Sequence, residues 1–130
     1  MMKKLLIGLM LLVVSGAASA EWTDVGDNDE ITLYVDKTTI RRNGNLVKMW
    51  ILYDFKSASV VVGLSFLSNR SQNEYDCKEE KFRILEISYF SGQMLSGKVV
   101  ISEDNMGRKW VAVPPSSVME AQWKIACGKE

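Results

Sequence analysis

Cys77 and Cys127 are the only thiols in the 130-residue chain, and no histidine accompanies them. Without an imidazole, neither a Ser-His-Asp nor a Cys-His nucleophile can be assembled. Two thiolates alone are a poor zinc site, so no metal is expected. The chain has no HExxH, no CxxC and no glycine-rich phosphate loop, and no cofactor is expected. Its carboxylates could supply a glycosidase pair, but linear spacing says nothing about their separation in space. The acidic run Gly26-Asp27-Asn28-Asp29-Glu30 lacks the sixth-position glycine and the distant glutamate of an EF-hand, so it reads as a solvated turn. The expectation is therefore a protein that is not an enzyme. Recognition falls to the cations Lys78, Lys81 and Arg83, the candidate ligand-binding residues, and to the polar stretch 68–74 before them. The plainer reading of both is a solvated edge and turn. Trp50 and Trp110 read as core or sheet-face packing rather than as a ligand platform.

The compartment decides what the two thiols do. Lys3 and Lys4, the apolar run 5–14 and Ala18-Ser19-Ala20 form the three zones of a secretory signal, with cleavage expected after Ala20. The apolar run is shorter than the roughly 20 residues that span a bilayer, so no membrane span is expected after cleavage. The cleavage point carries no lipidation cysteine. Loss of residues 1–20 removes two lysines, leaving fourteen basic against sixteen acidic residues, a formal charge of −2. That balance offers nucleic acid no attraction. In an exported protein Cys77 and Cys127 are expected to pair, two free thiols being the alternative. The bond would close a loop of about 50 residues, for which the chain-entropy model gives ~4 kcal/mol.

The elements that must position these residues are mostly strands. Residues 31–35 read as a strand, 36–38 as a turn, and 39–42 and 46–55 as hairpin arms around Asn43-Gly44. The second arm is apolar on both faces, which predicts a central strand covered on both sides. Residues 56–63 read either as an apolar loop or as the start of the next strand. The polar stretch 64–77 is expected to leave the core and return at Tyr75 and Cys77. Residues 82–90 form another strand, 91–97 a turn, and 98–102 with 109–113 a closing hairpin around 103–107. One helix ends the chain. Ser117-x-x-Glu120 has capping-box spacing, and Gly128 supplies the C′ residue. Met119, Trp123, Ala126 and Cys127 fall on one stripe, and Val118, Ala121 and Ile125 on a second, leaving Glu120, Gln122 and Lys124 as the polar positions. The fold class is α+β: one domain over residues 21–130, mostly antiparallel sheet closed by one helix.

Taken together, Trp22, Tyr34-Val35-Asp36 through Ile40-Arg41, Val47-Lys48-Met49-Trp50 and Glu74-Tyr75-Asp76-Cys77 resemble the surface-adhesin protein E-like family. The order continues through Ser88-Tyr89-Phe90-Ser91, Gly97-Lys98-Val99-Val100, Trp110, Pro114-Pro115-Ser116 and the helix from Trp123 to Cys127. The resemblance implies a twisted antiparallel sheet of about six strands, with the C-terminal helix on its concave face and tied there by a disulfide. It also implies a lipid-anchored outer-membrane adhesin that binds host matrix proteins. This chain departs in lacking the lipidation cysteine, which points to a periplasmic or secreted product and leaves surface display open. It departs again at Met94-Leu95, where family members often carry glycine after the methionine. Two functional readings follow. One is a non-catalytic binding module for a protein or envelope ligand; the other is a structural, self-assembling envelope protein whose apolar sheet makes a homodimer.

Overall fold

The computed structural model describes residues 20–104 and 109–130. Of the expected signal only Ala20 falls within them, and residues 105–107 of the expected turn fall outside. Seven strands form one antiparallel sheet: β1 (Thr23–Asp27), β2 (Ile31–Asn43), β3 (Leu46–Val61), β4 (Leu64–Asp76), β5 (Lys81–Phe90), β6 (Val99–Asp104) and β7 (Val111–Ala112). The first six lie side by side in chain order, and β7 pairs with β5. A single 3-10 turn at Gln93–Leu95 links β5 to β6, and α1 (Val118–Cys127) closes the chain. This is the expected α+β domain.

Local chemistry explains the helix. Ser117 Oγ accepts the Glu120 backbone N–H at 3.1 Å, satisfying one amide that the first turn leaves free. Glu120 reaches back to the Ser116 N–H at 2.9 Å, one residue before the N-cap that a capping box would use. Gly128 ends the helix in the left-handed region at φ 69°. The helix lies on Leu33, Val35, Val47, Met49, Ile51 and Tyr75, burying Trp123, Ile125 and Ala126 among them. The Cys77–Cys127 bond, with Cα atoms 5.7 Å apart, joins the residue after β4 to the last residue of α1.

The sheet corrects the strand reading in several places. The β2–β3 loop is Gly44-Asn45 rather than Asn43-Gly44, since Asn43 already pairs with Leu46. Only Gly44 of the two has positive φ, the II′ sign pattern rather than I′. Residues 36–38 are not a turn: β2 runs through them, with its register against β3 broken between Asp36 and Arg41. The open choice over residues 56–63 resolves as strand, β3 continuing to Val61 before a tight turn at Val62-Gly63. The expected closing hairpin does not form, because β7 pairs with Lys81 and Phe82 of β5 instead of with β6. At Met94 and Leu95 the backbone is left-handed, φ 51° and 63°, the conformation that favours glycine. Met94 N–H donates to Asp54 Oδ1 and Leu95 N–H to Ser68 Oγ, which hold the turn against the sheet.

The largest correction concerns β4. Its polar residues do not leave the core, and they are not an exposed edge. The strand lies between β3 and β5, and Ser68, Asn69, Ser71, Asn73 and Glu74 are all buried. The expectation for β3 holds in part. It is central, and its Val47, Met49 and Ile51 face the helix; on the other side Leu52 is buried while Trp50 stays half exposed.

Candidate functional site

On the helix side the buried polar residues are paired with one another. Gln122, read from sequence as a polar helix position, is completely buried. Its Nε2 donates to Tyr53 Oη at 2.8 Å, and its Oε1 accepts from Tyr75 Oη at 2.9 Å and from Asn73 Nδ2 at 3.3 Å. Ser71 Oγ in turn donates to Asn73 Oδ1 at 3.0 Å. Burial pushes the Tyr75 phenol far above its ordinary range and raises that of Tyr53 too. Both stay neutral donors and acceptors. This cluster fastens helix to sheet and leaves no group free to react. Beside it a hollow of about 260 Å³ opens between Tyr53, Phe55, Phe66, Asn69, Tyr89 and Met119. Phe55 and Tyr89 each meet Phe66 edge-on, at 5.1 and 4.8 Å.

The opposite face carries the surface with the chemistry of recognition. Register turns Trp50, Arg70 and Phe90 away from the helix, since Leu52, Arg70 and Ser88 stand in one row and Val47 with Tyr75 in a row of the other face. The Arg70 guanidinium lies 5.4 Å from the Trp50 ring and 6.0 Å from Phe90. Such stacking fixes a long side chain while leaving its donors outward. Arg70 is exposed and makes no ion pair among the described residues. Next to it Trp22, Asp36, Thr38, Thr39 and Trp50 line a hollow of about 390 Å³. Asp36 is nearly fully buried, and its carboxylate accepts the Thr38 N–H at 3.0 Å and the Glu21 N–H at 3.1 Å. Sequence reading missed Arg70, which it left unsingled within the polar stretch 68–74. The available signal was the shared parity of Arg70 with Gln72 and Glu74, but only the β3–β4 register brings it to Trp50.

The structure places Lys78 in the turn after β4 and Lys81 at the start of β5, both exposed. Arg83 is half buried and differently employed. Its Nε and Nη2 donate to Glu74 Oε1 at 2.9 and 2.7 Å, and its guanidinium stacks 4.3 Å from the Trp110 ring. Lys81 and Arg83 pair by register with Asp76 and Glu74, so they share the Arg70 face. Among the described residues no group of three or more Cys, Asp or Glu side chains is arranged to hold a metal, and no helix is long and apolar enough to cross a membrane.

Comparison with known proteins points one way. Two solved structures of Haemophilus influenzae protein E superpose on the chain. The first, crystal form II, has a TM-score of 0.60 at 12% identity, over 85% of this chain and 90% of that one. The second has a TM-score of 0.58 at 12% identity, over 85% and 86%. At this identity the likeness concerns the fold. No curated protein sequence matches the chain at a significant level. The family profile of surface-adhesin protein E matches residues 22–128, which is nearly everything after the expected signal. By that match, this chain belongs to the surface-adhesin protein E family.

Proposed function

We propose that the protein is an exported, non-catalytic binding module that recognises a protein ligand through the helix-free face of its sheet. Family membership supports an adhesin, and the signal-like residues 1–20 support export to the periplasm or beyond. One observation carries the choice of face: Arg70 is held between Trp50 and Phe90 and makes no ion pair among the described residues. Tryptophan and arginine dominate the residues whose truncation costs protein interfaces most. An arginine fork also selects carboxylates, so acidic segments of matrix or envelope proteins fit this face. Lys78 and Lys81 form the cationic margin of the same site, where charges steer association more than they hold it, while Arg83 is held within that face by Glu74 and Trp110.

The test is binding of the mature chain to immobilised host matrix proteins and to envelope extract. Arg70→Ala and Trp50→Ala are each expected to weaken binding by about 2 kcal/mol or more, roughly thirtyfold. The double change Lys78→Ser, Lys81→Ser is expected to slow association and reduce its salt dependence. Unchanged affinity in both single variants would remove this face from the site.

A further inference from the structure

Beyond the sheet face, one feature stands outside the adhesin reading. We propose that the tip of the β3–β4 hairpin is a membrane-contacting apex that enters the headgroup–acyl boundary of a phospholipid surface. The last pairing of β3 with β2 is Phe55 with Ile31, and the last pairing of β4 with β5 is Ser68 with Phe90. Past these points the two strands pair only with each other, through Ser59–Phe66, Val60–Ser65 and Val61–Leu64. The arm ends in a two-residue turn at Val62-Gly63.

Four properties of this tip suit lipid. First, it is apolar and exposed: Val60 is 66% accessible, Val62 78% and Leu64 45%. Second, residues 57–69 contain no charged side chain, Lys56 and Arg70 being the nearest on either side. Charge is what a hydrocarbon phase rejects most strongly. Third, the turn has positive φ at both positions, 48° at Val62 and 75° at Gly63. Asn-Gly is the usual solution there, and a β-branched residue is sterically the poor one. The apex therefore carries an apolar side chain at the expense of backbone comfort. Fourth, the apolar side chains point to both sides of the ribbon, Val61 and Leu64 one way and Val60 the other. A protein groove receives one face; a fluid phase surrounds both. From the Ser59–Phe66 pair to the apex is about three residues, or ~10 Å at the rise of a strand. Interfacial elements bury to a depth of roughly 5–10 Å.

Val60, Val62 and Leu64 together expose nearly two whole side chains. That predicts a weak, reversible partition constant on the order of 10³ M⁻¹, about tenfold below a single myristoyl chain. The experiment is co-sedimentation of the mature chain with phosphatidylcholine vesicles and with phosphatidylethanolamine–phosphatidylglycerol vesicles. A triple variant Val60→Ser, Val62→Asn, Leu64→Ser serves as control. All three positions are exposed, and Asn suits the left-handed apex, so the variant is expected to fold with an unchanged circular dichroism spectrum. The wild type should bind both vesicle types alike and keep binding in high salt, and the variant should bind at least tenfold more weakly. Absence of wild-type binding, equal binding by the variant, or binding only to the anionic vesicles would overturn the proposal. So would a wild type that ignores lipid yet self-associates through the tip, with the variant monomeric. None of these outcomes bears on the Arg70 face, whose ligand binding is measured without lipid.

Discussion

Replacing Gln122 by Leu tests whether the helix is held by a satisfied polar cluster or merely by apolar packing. The side chain is fully buried, and three polar atoms depend on it. Leucine of similar bulk leaves the Tyr75 hydroxyl without its acceptor in a site with no water access. It also removes the Asn73 Nδ2 partner, while half-exposed Tyr53 can turn to solvent. One orphaned buried donor costs about 1–3 kcal/mol and one weaker bond about 1, so Gln122→Leu should lose ~3 kcal/mol. Tyr75→Phe alone removes the donor but leaves Gln122 Oε1 its bond from Asn73, and should lose about 1 kcal/mol. The double variant no longer contains the orphaned hydroxyl. It should lose about 2 kcal/mol rather than the additive ~4, a coupling of about −2 kcal/mol. Urea unfolding of the four proteins at neutral pH measures this, provided the slope m is unchanged. Additive losses, or a loss under about 1 kcal/mol for Gln122→Leu, would refute the account and make the cluster incidental to the packing.

Two further outcomes follow from single contacts. The Glu21 nitrogen lies 3.1 Å from a buried Asp36 carboxylate oxygen. Protein produced to begin at Glu21 presents an ammonium there, so N-acetylation, which leaves a neutral donor, should cost about 1 kcal/mol in urea unfolding; equal midpoints would exclude the ion pair. Tyr75, Tyr53, Tyr34 and Tyr89 all have phenols raised above 10.0, with desolvation the leading cause in each. Folding thus favours their neutral form: its contribution is intact below pH 10 and is lost as pH climbs above the unfolded value toward the folded ones. Phenolate absorbance should lag a model tyrosine and then rise together with loss of ellipticity; ordinary titration with the fold intact would contradict it.

What could be read from sequence was what local chemistry encodes. Ser117, Glu120 and Gly128 announce a helix within a dozen residues, and two cysteines in an exported chain announce their own bond. What could not be read was the meaning of polar residues with distant partners. Ser71, Asn73 and Gln122 look solvent-bound in a linear string, because the groups that satisfy Asn73 and Gln122 lie up to 69 positions away. The hairpin loop moved by one residue because Asn43 and Asn45 flank Gly44, and composition does not choose between them. Arg70 was invisible for the same reason as β4: its neighbours Trp50 and Phe90 arrive by register. Lys78, Lys81 and Arg83 were visible as charge, but not the Glu74 carboxylate and Trp110 ring that engage Arg83.

The bond between Cys77 and Cys127 also sets how the molecule would yield to a pull. Tension applied between the chain ends travels along β1 to β4 and crosses at the sulfurs, skipping the residues in between, across a sequence separation of 50. Those positions hold β5, β6, β7 and α1, and at full extension they represent about 170 Å of contour that cannot pay out until the bond is reduced. β1 lies at the outer edge of the sheet, so a protein tugged at its ends would peel from there inward, one strand at a time. The segment behind the sulfur bridge would stay slack throughout. Held by its ends, the oxidised chain is a short tether with a stop; the reduced chain is a longer one without it.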